Sequence, residues 1–135
     1  MSKGVLPVKM QHVALVCSSE KNADRFYMKL LGLEKSVPKI LSIELVRAIF
    51  KTESELTVIN YTGEKVRFEI FIADPGNAPD VIPLPHVCLE VKAIDGLVEK
   101  CRTMGFEVIL APKGDRILTF ILDHDRNLFE IKAMP

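Results

Sequence analysis

Two short lines of this sequence each occur twice, and no other feature limits the possible folds so strongly. Gln11-His12-Val13-Ala14-Leu15-Val16 returns as Pro85-His86-Val87-Cys88-Leu89-Glu90, and Phe68-Glu69-Ile70 returns as Phe129-Glu130-Ile131. The two histidines lie 74 residues apart, too long a period for a solenoid unit. A chain of 135 residues with 48% hydrophobic side chains has enough apolar surface to bury a core between two fused copies of a half-domain.

The first half alternates from Val8 to Cys17, with Met10, His12, Ala14 and Val16 on one face and Val13 and Leu15 on the other, which predicts a strand. Ser18 and Ser19 are candidate N-caps. Ala23, Phe26, Tyr27, Leu30 and Leu31 then make the stripe of an amphipathic helix, ended by Gly32 in the left-handed cap position. Leu33 to Val37 reads as a short strand closed by Pro38. Ser42 to Lys51 suits a short helix at the rim, Ser42 capping it, although its β-branched content also suits a strand. Leu56 to Tyr61 and Lys65 to Ala73 read as a hairpin about Thr62-Gly63-Glu64. In the second arm Arg67, Glu69 and Phe71 share one face and Phe68, Ile70 and Ile72 the other. A carboxylate in so apolar a strand requires a partner.

Residues 74–85 hold Pro75, Gly76, Pro79, Pro83 and Pro85, a composition that blocks regular pairing and predicts a linker. The first module is expected over 8–73 and the second over 86–134. His86 to Val91 alternates as a strand, with His86, Cys88 and Glu90 on one face. Ile94, Leu97, Val98, Cys101 and Met104 form a second helical stripe, stopped by Gly105. Phe106 to Leu110, Ile117 to Leu122 and Leu128 to Lys132 read as strands, with a turn over Asp123 to Asn127. The stopping glycines follow their histidines by 20 and 19 residues, so both halves read strand, helix, strand, strand, strand.

Composition removes several function classes. Lys plus Arg equals Asp plus Glu at 18 each, so no net field draws nucleic acid or an anionic membrane. No apolar run approaches the roughly 18 to 20 residues of a membrane span, and Met1-Ser2-Lys3-Gly4 lacks the order of a secretory signal, so a cytoplasmic protein is expected. Cys17, Cys88 and Cys101 are odd in number and form no Cys-x-x-Cys pair, which argues against a disulfide framework and a thiolate zinc site. They read as small buried hydrophobic residues, with Cys88 a wall of the site. His124 reads as a turn residue at the surface, and Glu90 as a solvated strand end.

The chain resembles the vicinal oxygen chelate superfamily, which includes glyoxalase I, methylmalonyl-CoA epimerase, extradiol dioxygenases, fosfomycin-resistance thiol transferases and bleomycin-binding proteins. The resemblance spans nearly the whole chain. It is most specific at His12-Val13-Ala14-Leu15-Val16, at the helix from Ala23 through Leu33, and at the ending Asp123-His124-Asp125-Arg126-Asn127-Leu128-Phe129-Glu130-Ile131. That ending departs from the family's common Asp-Pro-Asp-Gly-Asn turn at His124 and Arg126. The resemblance implies an α+β fold of two βαβββ modules, whose mixed sheets curl around a metal-containing cavity with helices outside. It also implies that His12, Glu69, His86 and Glu130 ligate one divalent ion per site, and that the modules pair within a chain or across a homodimer.

Two imidazoles and two carboxylates suit Ni, Co, Zn, Mn or Fe. Such an ion polarises a substrate carbonyl and stabilises an enediolate while a proton moves. Glu130, and after it Glu69, is the expected general base by resemblance to glyoxalases. The full two-plus-two ligand set favours a lyase or isomerase of glyoxalase type over relatives with two histidines and one glutamate. Val16 stands where glyoxalase I enzymes often carry an arginine for glutathione, which moves the reading toward an epimerase. The small-molecule substrate is then a hemithioacetal, formed with a thiol cosubstrate, or a 2-oxo or CoA thioester. The alternative is a bleomycin-type binding protein whose cavity carries no metal.

Overall fold

Each sheet is built by bringing its first strand alongside its last. The computed structural model describes residues 4, 7, 9–74 and 84–135. In sheet one, β1 (Val13–Cys17) runs parallel to β5 (Arg67–Ile72), and β5 pairs antiparallel with β4 (Leu56–Thr62). β2 (Glu34–Lys35) and β3 (Lys39–Leu41) both lie against β4. Sheet two has the order β6 (His86–Val91), β9 (Leu128–Ala133), β8 (Arg116–Leu122) and β7 (Val108–Lys113), again with only the first and last strands parallel. The architecture is therefore α+β with two mixed sheets of βαβββ type, as expected. The proposed linker, 74–85, falls for residues 75–83 outside the described residues.

Several boundaries differ from the sequence reading. β1 begins at Val13, so His12 sits just before the ladder rather than inside it; Val8 lies outside the described residues. The strand expected over Leu33 to Val37 is broken into β2 and β3. Between the pairs Lys35↔Tyr61 and Lys39↔Val58 one side has an extra residue, a bulge next to Pro38, which has no N–H for the ladder. Ser36 bridges the break: its amide donates to Asn60 O at 2.8 Å and its Oγ accepts from Asn60 N at 3.0 Å. β7 starts two residues later than expected and continues through Pro112, whose place on an edge strand removes no needed donor.

The first helix also departs from a regular α-helix. After α1 (Glu20–Ala23), capped by Ser19 Oγ accepting from Asn22 N at 3.0 Å, the chain widens into a π-helical segment (Asp24–Leu30). Leu31 N donates to Phe26 O, five residues back, at 3.0 Å. Spacing alone does not distinguish the two windings, because both leave Ala23, Phe26, Tyr27 and Leu30 buried. Gly32 follows with φ 73°, the left-handed position predicted for it. Residues 42–51 resolve as helix α2 (Ile43–Phe50), with Ser42 Oγ accepting from Leu45 N at 3.2 Å. α3 (Ile94–Met104) ends at Gly105 with φ 82°. Among the described residues no helix is long and apolar enough to cross a membrane.

One aromatic core joins the halves. Phe26 stacks on Phe129 at 5.0 Å and meets Phe106 edge-on at 5.3 Å, while Phe68 packs edge-on against Phe129 at 5.8 Å. The phenylalanines of the two repeated Phe-Glu-Ile lines thus touch each other, and each such pair adds about 0.5–1.5 kcal/mol beyond its buried area. Because strand side chains alternate, Glu69 and Glu130 stand on the opposite faces, away from this core.

A buried polar latch ties the last turn to β1. Asp123 Oδ2 accepts from Tyr27 Oη at 2.8 Å, Asn127 Nδ2 at 2.8 Å and Cys17 Sγ at 3.6 Å. Its Oδ1 accepts from the amides of Asp125 at 2.9 Å and Asn127 at 2.8 Å, and Asn127 Nδ2 also reaches Val16 O at 2.9 Å. Burial pushes the Asp123 carboxyl above its ordinary value, while hydrogen bonds from Asn127 and Tyr27 pull it back. Burial, then the charges of Asp123 and Asp125, push the Cys17 thiol far up. Cys17 and Cys101 are buried as expected, Cys17 also donating within this polar cluster, whereas Cys88 is exposed, contrary to expectation, because it lies on the open face of sheet two opposite Glu130. Arg126 closes the turn with φ 71°, adopting a left-handed conformation favourable to glycine.

Asp123→Ala leaves five donors without their acceptor and should destabilise the fold by about 2–4 kcal/mol, measured by urea unfolding. Thiol alkylation of the native protein should label Cys88, which is exposed, and spare Cys17 and Cys101, which are buried. Partial burial and the Glu130 charge raise the Cys88 thiol, so its labelling rate should climb from pH 7 to beyond pH 9 as thiolate forms. Peptide mass spectrometry reads both results.

Candidate metal centre

The two parallel ladders place the repeated residues in the same register. Ala14 lies opposite Glu69 in sheet one, and Cys88 lies opposite Glu130 in sheet two. His12 and His86 each stand two residues earlier, on the same face as the residue facing the glutamate. His12 Nε2 approaches Glu69 Oε2 at 3.9 Å, and His86 Nε2 approaches Glu130 Oε1 at 3.8 Å. The side chains are 34% and 26% exposed in the first pair and 40% and 18% in the second, so an ion or a substrate has access to each.

Both imidazoles are oriented for ligation. His12 Nδ1 lies 2.7 Å from Gln11 Oε1, and His86 Nδ1 lies 2.9 Å from Leu84 O. An oxygen at Nδ1 calls for the N–H there, which leaves the Nε2 lone pair free on the side of the glutamate. This outer contact was not anticipated from the sequence. For His12 it comes from the preceding residue in the repeated line, but for His86 it comes from a main-chain oxygen that no side-chain pattern reveals. The residues present fit a divalent ion in donor type, tautomer and access.

The structure brings His12 to Glu69 and His86 to Glu130, but it does not gather the four within one chain. Two donors of a single ion, each about 2.0–2.2 Å from it, lie no more than about 4.4 Å apart. Each pair meets that limit. Among the described residues, Cys17, Asp123 and Asp125 are the one group of three whose donor atoms all lie within 4.8 Å of one another. That group could hold a metal, but both oxygens of Asp123 already accept the five bonds of the latch. Asp125 Oδ2 is buried without a partner.

The surroundings of the pairs are mixed. Arg67, Asn60 and Phe71 share the Glu69 face, and Phe50 of α2 meets Phe71 edge-on at 5.3 Å. Phe50 of α2 therefore touches the Glu69 face of sheet one, while Ile43, Leu45 and Ile49 of the same helix are exposed. In sheet two Phe120 lies opposite Glu130 and its ring is 6.0 Å from His86. Glu90 is exposed, as read. His124 is also exposed and accepts from Arg25 Nε at 3.2 Å. Partial burial, and then Arg25, lower its pKa.

Comparison with known proteins places the fold. The glyoxalase family protein from Enterococcus faecalis superposes with a TM-score of 0.68 at 22% identity, over 91% of this chain and 95% of that one. The glyoxalase family protein from Bacillus cereus gives 0.71 at 19% identity, over 98% and 97%. The genomically encoded fosfomycin resistance protein FosX from Listeria monocytogenes, complexed with Mn(II) and sulfate ion, gives 0.69 at 17% identity, over 96% and 95%. A search of curated proteins found no match. The family model for the Glyoxalase/Bleomycin resistance protein/Dioxygenase superfamily matches residues 9–131, and the chain belongs to that superfamily.

Proposed function

We propose that this protein is a divalent-metal lyase or isomerase of glyoxalase type, acting on a small carbonyl substrate. In this reading His12 and Glu69 of one copy ligate the ion together with His86 and Glu130 of a second copy. The observation that carries it is the pair of equal half-sites, at 3.9 and 3.8 Å, each with its imidazole Nδ1 already engaged by an oxygen. Half-sites of one kind at the two ends of a duplicated chain are completed in a two-fold homodimer, which forms two whole sites at once.

Ni, Co, Zn, Mn or Fe held there supplies Lewis-acid polarisation of the substrate carbonyl; Mn(II) in the FosX complex belongs to this group. The glutamates do the proton work. A glutamate carboxylate beside the site would accept the proton from the carbon next to the carbonyl when it stands within about 3 Å of it. Glu130 is assigned this role first, being the less exposed of the two, and Glu69 second. If one glutamate both takes and returns the proton, the outcome is a shift between adjacent carbons. Delivery by the other glutamate, from the opposite module, inverts the centre. The same four residues therefore serve a lactoylglutathione lyase-like or a methylmalonyl-CoA epimerase-like reaction. Val16, on the His12 face, offers a glutathione carboxylate no charge.

Protein purified without chelator should carry a divalent metal by elemental analysis, and His86→Ala should lose it. Metal-free wild-type protein, or full metal content in the variant, overturns the reading in favour of a non-catalytic binding protein. Mixed His12→Ala and His86→Ala subunits should recover about a quarter of the wild-type metal, because half the dimers are mixed and half of their sites are intact. No recovery would place the site within one chain.

A further inference from the structure

We propose that the cleft beside His12 is an anion site, in which Arg67 holds a carboxylate or phosphonate end of the substrate while the ion holds its other oxygens. Its role in catalysis rests on the metal reading above; its existence as an anion site does not. The cleft, about 230 Å³, is lined by Gln11, His12, Lys65, Arg67, Val87 and Cys88 among others. Lys9 and Glu64 join Lys65 and Arg67 on an adjoining hollow, so with Glu69 beside His12 three permanent cations stand against two carboxylates. The ion pairs among the described residues involve His12, Lys35, Arg47, His86 and Arg126 as cations. None involves Lys9, Lys65 or Arg67.

Arg67 is the centre of this cluster. It is half-buried, and its Nε donates to Asn60 Oδ1 at 3.3 Å, a neutral acceptor. That bond fixes the plane of the guanidinium without cancelling its charge. Among the described residues its two terminal nitrogens have no acceptor, and they form the fork that matches two oxygens of a carboxylate or phosphonate. The ladder also fixes where the anion lies. Phe68 is opposite Val13, so one step back along both strands His12 and Arg67 are neighbours, and Glu69 follows Arg67 on the same face at about 7 Å. A substrate of only a few carbons spans the distance from Arg67 to the ligands. The cleft therefore favours a small anionic oxo compound.

The test titrates metal-free protein with methylphosphonate at low ionic strength, following the Arg67 Nε–Hε resonance by NMR and the affinity by calorimetry. Wild-type protein should bind saturably with movement of that resonance, and Arg67→Gln should weaken binding about tenfold or more. Arg67→Lys should fall between the two. Equal affinity in wild type and Arg67→Gln, or no binding by wild type, overturns the anion site. Should Arg67→Gln fail to give a cooperative thermal transition, Lys65→Gln, at an exposed position, replaces it: weaker binding supports the site and unchanged binding overturns it. Metal retention by His86→Ala, together with Arg67-dependent methylphosphonate binding by the wild type, would sink the metal reading and leave the anion site standing.

Discussion

The parallel pairing of the first strand with the last, made once in each sheet, is the constraint on which both the core and the proposed centre depend. With Ala14 fixed opposite Glu69 and Cys88 opposite Glu130, alternation decides everything else on those strands. Phe68 and Phe129 turn inward, where they meet at 5.8 Å, and the glutamates between them and the isoleucines turn outward. A slip of one residue would put a carboxylate into an aromatic core and a phenylalanine into solvent. The hydrophobic energy that sets the register therefore also sets the placement of the His–Glu pairs. The Asp123 latch protects the same register from the other side, since Asn127 bonds Val16 O at the end of β1 and leads directly into β9.

Much of this was legible because it rests on periodicity. The opposite faces of β1, β5, β6 and β9, the buried stripes of the two long helices and the glycine stops at Gly32 and Gly105 all follow from spacing. Residues 42–51 suited a helix or a strand, and the Ser42 cap on Leu45 N goes with the helix. Where the sequence fell short, the cause was a competing local interaction. Widening of the first helix after Ala23 leaves the same side chains inside, so no pattern signals it. The break at Ser36 to Pro38 depends on a side chain replacing a ladder group. Cys17 looked apolar because a thiol's role is set by what it meets, here an aspartate 106 residues away. His12 and Glu69 could be set on one face from alternation, but the oxygens at the imidazole Nδ1 atoms could not be foreseen.

The exposure of the His–Glu pairs shows what they are not for. At 18–40% exposure and nearly 4 Å, such contacts add little to stability, and the aromatic core would hold the sheets together without them. Covering both pairs with a second copy would bring four polar side chains, two of them carboxylates, out of water. Two carboxylates in one covered site repel each other and lose hydration. A divalent ion offsets both costs, because each glutamate then ligates a charge of opposite sign. On the proposed reading, metal binding and association of the two copies are therefore one linked equilibrium. On the same reading Arg67 and Lys65 stand at the mouth of the site outside the ligand set, where their charge favours an anion with or without the ion.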